Sequence, residues 1–205
     1  MSRWKGHRYS IAAMFLLGSI AEAAALTVVN VNAPAINCVF NPTCTITVTD
    51  SSGNIPVPGI AGTAFLQSRT FNGAPGAPGA KLRGYEYRVD LRNAIGILNL
   101  PCVTALKLGF GTVSKLQYNG AGPLDDIYVV TGGGLGSVGL ASATLVLNTI
   151  TFTFASPVCA GANPGAGTST YFFGLASTKL PKPITAQVKV LGGAWVNVPA
   201  RAPGL

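Results

Sequence analysis

The chain has 205 residues and a formal net charge of +8, yet only 10% of its residues are charged and it holds a single histidine, His7. High Gly, Pro and Thr content with few charges favours β structure with many turns over helix. A lone histidine is too few for a histidine-based metal site, and if the N-terminal segment that holds it is removed, a serine triad also lacks its base.

In chain order, the first segment is an export signal by pattern. Arg3, Lys5 and Arg8 precede an apolar run from Ile11 to Ala21, and Ala21-Glu22-Ala23 fits the small-x-small cleavage rule. A run of eleven is too short for a helical membrane span, which needs about 20 residues. The expected division is a signal peptide over 1–23, a β-sandwich domain over 24–198 and a disordered tail over 199–205. Cleavage removes His7, three bases and Glu22, and leaves eleven Lys/Arg, five Asp/Glu and a net charge of +6. The remaining bases are spread from Arg69 to Arg201 rather than clustered, which argues against a nucleic-acid surface. Weak attraction to an anionic polysaccharide or cell surface stays open.

Short alternating runs then recur between turn signals. LTVVNV (26–31) and TCTITVTD (43–50) read as strands, the latter with Cys44, Ile46 and Val48 inward and Thr45, Thr47 and Thr49 outward. DSSGN (50–54) reads as a turn. TAFLQSRTF (63–71) is a strand. GAPGAPGA (73–80) is a flexible loop, too short for a collagen helix. YEYRVDLR (85–92), VTALKLGF (103–110), SKLQY (114–118) and IYVVT (127–131) are strands. The runs within 143–155 form a hairpin, and TYFFGLA (170–176), ITAQVKVL (184–191) and AWVNV (194–198) complete the set. No window shows an amphipathic helix. The fold class is all-β: one antiparallel sandwich, jelly-roll or immunoglobulin-like, stapled by disulfides.

Four cysteines allow three pairings. The short loop with Asn41-Pro42 favours Cys38 with Cys44, leaving Cys102 with Cys159 at two strand ends. With no Cys-x-x-Cys and no mature histidine, no metal site and no cofactor are expected.

The sharpest pattern is YEYRVDLR. Alternation places Glu86, Arg88, Asp90 and Arg92 on one face, opposite Tyr85, Tyr87, Val89 and Leu91. Glu86 and Asp90 are about 13 Å apart at the backbone, beyond a glycosidase pair's spacing. The expectation is a solvated ion-pair ladder, in which changing either acid to its amide costs no more than about 1 kcal/mol. Tyr85 and Tyr87 are core residues with hydroxyls at the edge. Asn119, Asp125 and Asp126 supply too few oxygens for calcium and read as a turn. GGGLGSVG (132–139) lacks the lysine and helix of a phosphate loop. Thr45/Thr47/Thr49 and Thr149/Thr151/Thr153 are two outward threonine rows that make one flat face only if their strands pair.

In VNVNAPAINCVFNPTCTITVTD, FLQSRTF, YEYRVDL and YFFGLAS the chain resembles exported bacterial β-domain proteins of unknown function. The resemblance covers nearly the whole mature chain. It implies an exported module and transfers neither an activity nor site residues. The functional expectation is a non-enzymatic sandwich that binds or builds at the cell surface or outside the cell, with a surface polysaccharide or another protein as partner. A carboxylate-dependent secreted hydrolase and a fibre subunit that lends LTVVNV to a neighbour's sheet are the alternatives.

Overall fold

Alternating apolar and polar residues make half-buried strands, and the computed structural model is built almost wholly from them. It describes Met1 and residues 22–204. The expected signal segment therefore lies outside the described residues over 2–21, as does Leu205. The elements are β1 (Ala24–Ala25), β2 (Val28–Asn32), α1 (Ala35–Phe40), β3 (Thr49–Asn54), β4 (Ile60–Gly62), β5 (Phe65–Asn72), β6 (Arg83–Asp90), β7 (Ala94–Gly96), β8 (Cys102–Gly109), β9 (Ile127–Gly132), β10 (Leu140–Val146), β11 (Thr149–Cys159), β12 (Phe173–Ser177), β13 (Pro181–Val190) and β14 (Trp195–Pro203).

Two six-stranded sheets form the sandwich. Sheet I has the order β1-β10-β11-β8-β13-β14 and sheet II the order β2-β9-β12-β6-β5-β3. The two short strands β4 and β7 pair with each other. The ladders within both sheets are antiparallel except β2 with β9, which run parallel. The main core lies between the sheets. Leu106, Leu108, Ile150, Phe152 and Val188 of sheet I meet Leu66, Tyr85, Tyr87, Val89, Phe173 and Leu175 of sheet II. Each fully buried side chain of this kind contributes about 1.5–3 kcal/mol. Tyr85 and Tyr87 are wholly buried, and their hydroxyls donate to the carbonyls of Lys179 and Arg201 at 2.7 and 2.8 Å.

Both disulfides are present as the spacing favours: Cys38–Cys44 and Cys102–Cys159. Cys102 opens β8, Cys159 closes β11, and the two are register partners.

Several expectations are corrected. Residues 43–48 are not a strand. Asn41 holds a turn there: its amide donates to Thr45 O at 2.7 Å, and its Oδ1 accepts from the Thr43 backbone and hydroxyl, both at 3.0 Å. Such side-chain bonds compete with a ladder. DSSGN, read as a turn, is instead most of β3, an edge strand whose Asp50 to Asn54 pair with Arg69 to Phe65 of β5. SKLQY contributes only isolated bridges at Ser114 and Leu116. The tail expected to be disordered from 199 forms the second half of β14 through Pro203, with Ala202 fully buried. Its prolines are tolerated because β14 is an edge strand.

A helix also appears where none was expected. α1 buries Ile36, Val39 and Phe40. Its last carbonyls lack partners within so short a helix. The supposedly flexible GAPGAPGA loop supplies them: Ala74 N–H donates to Phe40 O and Gly79 N–H to Val39 O, both at 2.7 Å. A Cβ on Gly79 would lie 2.9 Å from the Phe40 ring, so this approach requires glycine.

Candidate functional site

The two outer faces of the sandwich carry the main polar rows among the described residues, and they differ in what covers them. On sheet II the outward residues of β6 are Glu86, Arg88 and Asp90. They are not solvated: Glu86 is 6% exposed, Arg88 5% and Asp90 2%. A second apolar cluster covers much of this face. It joins Val31, Ile36, Val39 and Phe40 with Leu116 and Tyr118 over Phe71, Tyr128, Val130 and Phe172. The helix α1 and the stretch around 116–118, joined by Val31 of the edge strand β2, therefore cover much of the face that the alternation alone assigns to solvent.

On this face the charges form a connected network that runs from buried Arg88 and Asp90 out to partly exposed Arg92 and exposed Asp50. Arg92 grips Asp90 through Nε and Nη2, at 3.0 and 2.7 Å to Oδ2, and Arg88 Nη2 lies 3.1 Å from the same oxygen. Arg88 Nε donates to Gln67 Oε1 at 3.2 Å, and Gln67 donates in turn to Asp50. Burial pushes the Asp90 carboxyl up, but the bonds from Arg92 and the charges of Arg88 and Arg92 outweigh it, and the group sits below the ordinary aspartate range. Truncating one member of such a buried pair costs about 3–5 kcal/mol, so the burial of Asp90 predicts a loss above the roughly 1 kcal/mol ceiling of a solvated ladder. Arg88 Nη1 is buried without a partner.

Glu86 belongs to a different row. Cross-strand register aligns Asp50, Arg69, Glu86, Gly174 and Tyr128 over five neighbouring strands. Tyr128 lies across Gly174, where a Cβ would meet the phenol at 2.5 Å, and donates to Glu86 Oε1 at 2.9 Å. Only glycine lets the ring cross. Burial raises the Glu86 carboxyl above its ordinary value; Tyr128 and Arg69 pull it down and Asp50 adds to the rise. Arg69 stacks on Phe172, its guanidinium carbon 4.1 Å from the ring centroid, and reaches Asp50 through Nε at 3.4 Å. Beside them opens a cavity of about 360 Å³, walled by Ile36, Asn37, Ile46, Val130, Leu135 and Phe172 as well as Arg69 and Glu86. Gly133 and Gly134 of the glycine-rich loop over 132–139 form part of its wall.

Sheet I presents the opposite case. Register aligns Thr144, Thr151, Lys107, Gln187 and Asn197 over five strands. Their neighbours Leu106, Phe152 and Val188 face the core, so this row faces outward, and each member is partly or fully exposed. Trp195 stands beside the row, with Lys107 Nζ 4.5 Å and Lys189 Nζ 5.9 Å from its ring centroid. Gln187 donates to Asn197 Oδ1 at 3.0 Å. The strands of sheet I hold Lys107, Lys182, Lys189 and Arg201 and not one Asp or Glu.

The remaining sequence candidates are dispersed. Thr149, Thr151 and Thr153 lie on β11 of sheet I, whereas Thr49 opens β3 of sheet II and Thr45 and Thr47 precede it. The two threonine rows do not share a face. Asp126 is committed within the chain: its Oδ2 accepts from Thr27 N and Oγ1, both at 2.9 Å, and from Lys115 Nζ at 3.1 Å. That clamp fixes the entry to β2, which pairs with β9 of its own chain. Asn119 closes a local turn on Ala121 N. No three metal-ligating side chains converge among the described residues. No described helix is long and apolar enough to cross a membrane. Sequence reasoning missed Arg69, Tyr128, Phe172 and Trp195; the pairing of FLQSRTF with YEYRVDLR is the one local signal that places Arg69 beside Glu86.

No family model, curated protein or solved structure matches the chain.

Proposed function

We propose that the protein is an exported, non-enzymatic β-sandwich that binds an extended anionic polysaccharide at the cell surface through the outer face of sheet I. The observation that carries this reading is charge segregation: all six acids of the chain lie outside the strands of sheet I, whose open face sets Trp195 beside two lysines. An open face with an amphipathic ring and rows of amide and hydroxyl groups suits a hydroxyl-rich, extended ligand. The lysines select the negative ones. The N-terminal pattern of Arg3 to Ala23 and the two disulfides support export.

Affinity electrophoresis against a polyuronate and a neutral glucan tests the reading. Retardation by the polyuronate that weakens with salt, and that Lys107→Gln with Lys189→Gln reduces, is expected. Equal retardation by both polymers, or none, would defeat it. Intact mass of the exported chain should correspond to a start at or near Ala24.

A carboxylate-dependent hydrolase is the second reading, favoured by Glu86, a raised carboxyl at a cavity wall. Turnover of a polysaccharide that Glu86→Gln abolishes would establish it in place of the first.

A further inference from the structure

The cavity between α1 and sheet II is separate from the sheet I face and has the composition of a small-molecule site. Such sites combine apolar walls with a few convergent polar groups in about 300–1,000 Å³. Here the volume is about 360 Å³. The walls divide by chemistry. Ile36, Ile46, Val130 and Leu135 supply an apolar lining, while Arg69 and Glu86 supply a polar end.

The state of that polar end decides which ligand fits. Arg69 lies over the Phe172 ring, and the only described hydrogen bond of its side chain is the 3.4 Å contact from Nε to Asp50, so both Nη groups keep their donors. A guanidinium with two free donors is built for a planar oxyanion. Glu86 has Oε1 engaged by Tyr128 and no described partner at Oε2. In its protonated form the carboxyl carries a hydrogen that an anion can accept.

We propose that this cavity binds a small amphipathic organic anion, a short-chain carboxylate, with its head on the Arg69 guanidinium beside the Glu86 carboxyl and its tail against α1 and β9. A cation would meet the fixed charge of Arg69, and a neutral alcohol could not engage both of its Nη donors as a carboxylate can. The groups that set the charge at Glu86 come from three surrounding strands: Tyr128 from β9, Arg69 from β5 and Asp50 from β3; Arg88 and Asp90, further along β6, are charged groups on the same face. α1 adds no ionisable group, since its cysteine is bonded to Cys44, and β12 adds none. The raised Glu86 carboxyl agrees with this arrangement, because burial and Asp50 both favour its neutral form.

Hexanoate, hexanol and hexylamine titrated calorimetrically into the exported chain test the proposal above the ordinary carboxyl range of about pH 4. Hexanoate should bind, and the other two should bind at least tenfold more weakly. Hexanoate affinity should fall as rising pH ionises Glu86. Glu86→Gln, which stays neutral, should bind hexanoate without that pH dependence. Arg69→Met should lose at least tenfold, with circular dichroism confirming that it is folded. Lys107→Gln with Lys189→Gln should leave hexanoate binding unchanged, which separates this site from the polysaccharide face. Binding of hexylamine in preference to hexanoate, no hexanoate binding to the native chain, or unchanged hexanoate binding in folded Arg69→Met would overturn it.

Discussion

Each sheet of this sandwich carries a five-residue polar row on its outer face, and the two rows have opposite fates. Thr144–Thr151–Lys107–Gln187–Asn197 on sheet I stays open, with hydroxyls, amides and a lysine facing solvent. Asp50–Arg69–Glu86–Gly174–Tyr128 on sheet II runs from an exposed Asp50 at the β3 edge to a buried Glu86 and Tyr128 beneath a roof made by α1 and the stretch around Tyr118. Strand alternation alone makes the two faces look alike. Lack of cover leaves one an open polar face, and cover turns the inner part of the other into a second core, in which each buried charge needs a partner.

The largest effect should come from unbalancing the covered face. Asp90→Asn leaves Arg88 buried with less compensation and should lower stability by about 3–5 kcal/mol in urea denaturation. A loss under about 1 kcal/mol would return the face to the solvated ladder.

The disulfides divide in the same way, one stapling sheet I and one fastening the roof. Cys102–Cys159 closes a separation of 57 residues and Cys38–Cys44 one of 6. By chain entropy they are worth about 4 and about 2–3 kcal/mol. Paired serine replacements at 102 and 159 should lower the denaturation midpoint more than paired replacements at 38 and 44. The reverse order would show that the roof depends on its staple more than the loop entropy indicates.

Next in size is the crossing of Tyr128 over Gly174. Gly174→Ala puts a methyl 2.5 Å from the phenol and 2.7 Å from Tyr85 O. The strain should cost about 1–3 kcal/mol. The smallest effect belongs to the open face: Lys107→Gln should change stability by no more than about 0.5 kcal/mol while weakening polysaccharide retention.

Much of this was legible in the sequence. The two halves of YEYRVDLR do share opposite faces, the tyrosines do reach edge carbonyls, and the Asn41-Pro42 loop does announce Cys38–Cys44. The roof was not legible. α1 spans six residues, too few to show a helical period, and its stability comes from docking Phe40 against Phe71 and from carbonyl partners in a loop more than thirty residues away. Alternation says which side chains share a face and nothing about whether a distant segment covers it. β3 escaped notice for a related reason. Ser and Gly are turn residues by composition, and the ladder to β5 overrode that preference.

The same strand holds both consequences of cover four residues apart. Asp90, ringed by arginine, should titrate below the ordinary aspartate value of about 3.9, and Glu86, buried beside Tyr128, above the ordinary glutamate value of about 4.3. The signs of their stability contributions follow. Asp90 stabilises above the unfolded aspartate pKa, and this is lost as pH falls through its lower folded value. The contribution of Glu86 is present below the unfolded glutamate pKa and is lost as pH rises through its higher folded value. Carboxyl carbon chemical shifts of Glu86 and Asp90, followed by NMR across an acid titration of the folded protein, measure both at once. A covered face predicts two midpoints displaced in opposite directions, and two midpoints at ordinary values would mean the ladder is wet.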